Sequence, residues 1–202
     1  MRKTALIAAA LLAGCGSSKD AGSTSKSDAP RPFAVEGGAE ASRVAPGQRS
    51  AAAVFSLLPD GLMVTRGGAD TPVTLLRFGE PQTAVIAALR KELGQPRESD
   101  NGQCEHGAMH FADFGAIKAN FADGKFVGWL TESGKGLRTG DGISPAMTFK
   151  QLEKFGAKRV LESTLDGEFD LTRPGGGGTM GGFADPAGKV KSLYAGANCF
   201  FR

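Results

Sequence analysis

The chain has 202 residues and sets 24 Lys+Arg against 21 Asp+Glu, a formal net charge of +3. That length excludes a large multidomain enzyme, and the small charge excludes a strongly basic nucleic-acid binder. With 41% apolar and 22% charged residues, wholesale disorder is excluded as well. Three cysteines are an odd number, so in an exported protein one of them needs a separate role.

The first segment reads as an address. Arg2 and Lys3 are followed by an apolar run over residues 4–13. A run of about ten residues suits a signal sequence and is too short to cross a bilayer as a helix. It ends in Leu12-Ala13-Gly14-Cys15. This quartet resembles the bacterial lipobox. The resemblance implies that residues 1–14 are a lipoprotein signal peptide. It also implies that Cys15 carries a diacylglycerol on sulfur and a further acyl chain, such as palmitate, on its new amino terminus. The expected location is the cell envelope, bound to the membrane through covalent lipid. Position 16 is Gly rather than Asp, which implies the outer membrane, facing the periplasm, in a host with two membranes. Loss of Arg2 and Lys3 leaves 22 basic residues against 21 acidic ones. The acyl chains, not a basic patch, are then the anchor.

Residues 15–50 are the lipidated Cys and a polar stretch of Ser, Ala, Gly, Pro and mixed charge. Only Phe33, Val35 and Val44 are sizeable apolar side chains there. Such a segment cannot bury enough surface to offset its ordering entropy, so it reads as a flexible tether. A coil of about 35 residues reaches roughly 30–35 Å.

The body spans residues 51–202. Residues 54–58 suit a strand or a short helical turn, and residues 61–65 and 72–78 read as strands. Thr83 opens a helix that carries Val85, Ile86, Leu89 and Leu93 on one face, with Gly94 placed to end it. Strands follow at residues 108–114 and 116–121. Asp123-Gly124 then suits a tight type I′ hairpin into a strand that ends at Trp129. The order then repeats. Thr148-Phe149-Lys150-Gln151 fits a capping box, with Met147 and Leu152 placed as a hydrophobic staple and Gly156 as the stop. Strands follow at residues 168–172, 179–183 and 189–194. Matching landmarks in the two stretches lie 62 to 65 residues apart. The expected fold class is α+β, with two similar units at about 72–131 and 140–202. Each unit would be one short helix followed by an antiparallel meander.

Gly142-Ile143-Ser144-Pro145-Ala146-Met147-Thr148, followed by a short helix ending at Gly156, resembles two groups of small envelope domains. One is the small protein A type of barrel-assembly lipoprotein. The other is the tandem β-lactamase-inhibitor-protein fold. Members of both bind proteins and catalyse nothing, and the resemblance carries over no individual site residue.

With Cys15 lipidated, Cys104 and Cys199 remain, and outside the cytoplasm two thiols oxidise. A disulfide between them is the expected pairing. A redox pair lacks Cys-x-x-Cys spacing, and a metal site built on Cys104, His106 and His110 is the other sharp reading, although Gly107 and Phe111 argue for a strand that sets the two histidines about 13 Å apart. Gly176, Gly178 and Gly181 form a Gly-x-Gly-x-x-Gly match, but a strand follows where a dinucleotide site needs a helix. Phe126 and Trp129 are candidates to line a ligand groove or to fill the core. The carboxylate pairs Asp113/Asp123 and Asp166/Glu168 fit turns better than an active site. No catalytic, metal or cofactor site is expected. The expected function is that of a lipid-anchored, non-enzymatic envelope protein that contacts a protein partner, with no nucleic-acid role. The alternative is a binder of small molecules or cell-wall fragments.

Overall fold

A computed structural model describes residues 53–67, 72–132, 136–172 and 177–200, and strands dominate it. The chain begins with three strands, β1 (Val54–Leu58), β2 (Gly61–Thr65) and β3 (Thr74–Arg77). Their period-two pattern turns Phe55, Leu57, Leu62, Val64 and Leu76 inward, where all are buried. A later two-residue strand, β8 (Leu137–Arg138), joins β1 in parallel. The result is a four-stranded sheet in the order β3-β2-β1-β8.

The second sheet has eight strands: β4 (Arg97–Cys104), β5 (Gly107–Asp113), β6 (Lys118–Ala122), β7 (Lys125–Glu132), β9 (Ala157–Arg159), β10 (Glu168–Thr172), β11 (Thr179–Ala184) and β12 (Val190–Gly196). Their spatial order is β4-β5-β6-β7-β12-β11-β10-β9, antiparallel throughout. Two runs of consecutive strands therefore meet at one seam, β7 against β12.

The helices are few and short. α1 (Gln82–Leu93) starts after Pro81 and stops at Gly94, burying Val85, Ile86 and Leu89. α2 (Phe149–Leu152) is a single turn continued by a 3-10 turn, Glu153–Phe155. Its capping box is complete: Thr148 Oγ1 accepts from the Gln151 amide, and Gln151 Oε1 accepts from the Thr148 amide. One turn of helix is unstable alone, so α2 depends on its docking. Leu152 is fully buried, and Met147 and Phe149 pack on the core. Each helix start is also clipped to a hairpin turn. The Gln82 amide donates to Gly124 C=O at 2.9 Å, and the Phe149 amide donates to Gly188 C=O at 2.7 Å.

The α+β expectation is thus corrected. The chain is mostly β, with sheets of four and eight strands, and its short helices do not define two helix-plus-meander units. The physical reason is coverage. Helices of 12 and 4 residues cannot cover an eight-stranded sheet. The four-stranded sheet shares that task, and both sheets and helices contribute to one apolar cluster. Trp129 on β7 ties the two sheets directly, since its indole Nε1–H donates to the carbonyl of Leu58 at 2.8 Å.

The Asp-Gly hairpin forms as its residue types demand. Asp123 and Gly124 take φ of 50° and 68° between β6 and β7, as both central residues of a type I′ turn require. Strand β4 is the element that pattern reading misses. Its sequence, Arg-Glu-Ser-Asp-Asn-Gly-Gln-Cys, has no apolar alternation, because as an edge strand it is exposed at nearly every position.

Trp129→Phe tests the tie between the sheets. Losing the indole leaves a cavity and removes the Leu58 carbonyl's partner. The expected loss is about 2–4 kcal/mol of unfolding free energy, read from urea denaturation.

Candidate functional site

The inner face of the eight-stranded sheet is core. Its register fixes what lies on the opposite face. Ala119, Phe121, Trp129, Leu193, Phe169 and Leu171 point inward, and all are buried. Phe111, Lys118, Leu130, Tyr194 and Phe183 occupy the alternating positions that point out, half-buried in each case. Among the described residues, this outer face is crossed by the chain's own residues 197–200 and is covered at β10 by the loop that carries Ser163, whose Oγ bonds Glu168.

That crossing is a strap. The backbone turns at Gly196, where φ is +69°. The Ala197 amide donates to Val127 C=O at 2.8 Å, and Asn120 Nδ2 donates to Ala197 C=O at 3.0 Å and to Asn198 Oδ1 at 2.7 Å. Gly128 permits this approach, since a Cβ there would lie 2.1 Å from the Ala197 oxygen. Cys199 then bonds Cys104 on β4, with Cα atoms 5.0 Å apart. The expected disulfide is therefore present, and it fixes the C-terminal strap to the sheet edge. Beyond it, Phe200 packs edge-on against Phe183 at 5.1 Å and against Tyr194 at 4.9 Å. Tyr194 Oη donates to Glu168 Oε1 at 2.8 Å, and Ser163 Oγ hydrogen-bonds the other carboxylate oxygen. Glu168 is buried but satisfied, which is how a buried carboxylate is tolerated.

Beside the strap lies a furrow of about 220 Å³, walled by Phe111, Lys118, Asn120, Leu130, Cys199 and Phe200. Asn120 is 1% exposed, and its Oδ1 has no hydrogen-bond partner among the described residues. Nδ2 is held by two acceptors, so turning the amide would set oxygen against oxygen.

Cys15 lies outside the described residues. Phe126 and Trp129 are both fully buried and line no groove. They face the same way because a bulge shifts the β6–β7 register between Asn120 and Phe121. The metal arrangement of Cys104, His106 and His110 does not assemble. Cys104 is oxidised, and His110 sits between Asp100 (Nδ1, 2.8 Å) and Glu98 (Nε2, 3.1 Å). No group of three or more ligating side chains gathers among the described residues. Residues 173–176 of the glycine run lie outside the described residues. Its continuation has a packing role: a Cβ on Gly181 would strike the Tyr194 ring at 2.3 Å, and one on Gly182 the Phe169 ring at 2.4 Å. At the far end of the sheet, Asp185 caps its own turn. The Lys189 amide donates to Asp185 Oδ1 at 2.8 Å, and Lys191 Nζ lies 3.2 Å from Oδ2. These contacts, the Lys189 amide first, hold its carboxyl below the usual range against a smaller opposing effect of desolvation.

Comparisons with known proteins return no match among family models, curated proteins or solved structures.

Two measurements test the strap. The double variant Cys104→Ser/Cys199→Ser opens a cross-link that spans 95 residues. Chain entropy sets the expected loss at up to about 4–5 kcal/mol, read as a lower urea midpoint. Gly128→Ala forces the strap away from β7. It should cost about 1–3 kcal/mol and speed hydrogen exchange at the Ala197 amide, while the disulfide stays intact by mass analysis.

Proposed function

We propose that this is a lipid-anchored, non-enzymatic cell-envelope protein. It is held through acylated Cys15, and its folded body engages another protein through the outer face of the eight-stranded sheet. The anchor rests on the Leu12-Ala13-Gly14-Cys15 quartet and the charged, apolar and small residues that precede it in signal order. The interaction role rests on one observation: a broad sheet face bearing half-buried Phe111, Leu130, Phe183, Tyr194 and Phe200, over which only the strap and the Ser163 loop lie among the described residues. Aromatic residues in such a setting supply contact area at little cost in side-chain freedom. The disulfide-fixed strap keeps that face in one shape, and a pre-shaped face loses less entropy on association.

A second reading, binding of a small molecule or cell-wall fragment, is favoured by the furrow beside the strap and the unpaired Oδ1 of Asn120. Soluble muropeptide fragments should then raise the melting temperature, and Asn120→Leu should abolish that rise.

Cys15→Ala should move the protein from the membrane to the soluble fraction. Retention at the membrane through the body alone would defeat the anchor. A photo-crosslinking residue at position 130 should join the protein to a discrete partner in intact cells, while the same residue at exposed position 150 on α2 should not. Equal yields from both positions would remove the sheet face from the proposal.

A further inference from the structure

The two sheets have four edge strands among the described residues, and three are blunted. β8 has two residues and β9 three. β4 carries Arg97, Glu98 and Asp100 along its length, with Glu98 and Asp100 facing His110 and Arg97 bonded to Asp113 at 3.0 Å. Charges along an edge and very short strands are ways of preventing unwanted pairing. β3 has neither. Its only charged residue is Arg77 at its end, which pairs with Asp60. Its outward side chains are apolar instead: Leu75 is 36% exposed, and Val73 just before the strand is 58% exposed.

A groove lies directly under this edge. About 230 Å³ of open space separates β3 from α1, lined by Val64, Pro72 and Thr74 on one side and by Ala88 and Lys91 on the other. Arg66 closes one end by its ion pair with Glu92. Lys91 stands at the rim, exposed and without an ion pair among the described residues. α1 does not reach the edge because its buried stripe, Val85, Ile86 and Leu89, is committed to the core.

A strand edge left open at Val73 and Leu75 among the described residues, above a small-residue groove bounded by a helix, is the geometry of strand addition. Main-chain hydrogen bonds give affinity there, and alternate side chains enter the groove. We infer that the β3 edge accepts an extended segment of another protein, apolar at alternate positions and carrying a carboxylate that meets Lys91. One set of its side chains sits against Ala88, Val64 and Thr74 in the groove. The other set lies beside Val73 and Leu75 on the outer face. This site is separate from the large sheet face and stands or falls independently of the lipid anchor.

The probe is a capped heptapeptide of alternating valine and glutamine ending in glutamate, added to the purified, disulfide-intact protein. It should bind with one-to-one stoichiometry and slow hydrogen exchange at residues 73–76. The same peptide with its alternate backbone amides methylated, so that it cannot pair, should not bind. Leu75→Lys at the exposed edge should weaken binding by at least about tenfold, and so should Ala88→Arg, a half-buried position packed on the core, with an unchanged melting temperature as its check on folding. Lys91→Glu should weaken the glutamate peptide but not one ending in glutamine. Absence of saturable binding, or protection that appears only on β4 or on the large sheet face, would overturn the inference. So would concentration-dependent self-association that protects residues 73–76 without peptide, since the edge would then belong to a second copy. Loss of the crosslink at position 130 with peptide binding intact would defeat the sheet-face proposal alone.

Discussion

The β7–β12 pairing is the constraint on which the rest of the structure depends. It runs from Ser192 against Glu132 to Gly196 against Gly128, and it turns two four-stranded runs into one sheet. Without it, β7 and β12 would each be a long edge with buried side chains on one face. That is an arrangement proteins avoid because unpaired edges recruit other strands. With it, the two strands occupy the middle of the sheet, and the remaining edges fall on short or charged segments. Trp129 sits on this seam. Its indole reaches the β1–β2 sheet, so the register of one strand pair also sets the position of the second sheet.

The strap follows from the same seam. Gly196 and Gly128 face each other at its end, and two residues without side chains there leave room for the chain to turn back over β7. Once turned, Ala197 and Asn198 meet Asn120, and Cys199 arrives beside Cys104. The disulfide therefore closes a path that glycine and asparagine already define. A 95-residue cross-link constrains the unfolded chain strongly, and here it also holds one shape of an exposed face.

Some of this was legible in the sequence. The capping box at Thr148, the Asp123-Gly124 turn and the alternating strands β5, β6, β10 and β11 are short-range patterns, in which a few neighbouring residues decide the conformation. The Cys104–Cys199 pair was legible by elimination once Cys15 had another role. Long-range facts were not. That the strands of both halves share one sheet depends on side chains more than sixty residues apart. The bulge in the β6–β7 pair reverses the face of Phe126 relative to Trp129, and nothing local announces it. Strand β4 escapes for the opposite reason: its polar sequence is what an edge strand needs, and it reads as a loop. The helices are legible too, but their sequences do not reveal that a sheet made of β1, β2, β3 and β8 shares the covering role.

The distribution of polarity across the surface then separates protected strands from available ones. Charge and brevity guard three edges, while the large face is partly covered by a covalent strap of the chain's own residues. On β3 Glu80 caps the main chain of Arg77, and the protection stops short of Val73 and Leu75. The strand's outward residues are valine and leucine, its inward neighbour Thr74 opens onto space, and the adjacent helix presents alanine rather than a large side chain. A single Leu75→Lys exchange would supply the missing charge on the solvent-facing side of the strand, where no core contact opposes it. In a body this consistent elsewhere, an edge left apolar above a groove marks a place where another strand fits, because the same physics that guards the other edges would disfavour leaving this one bare.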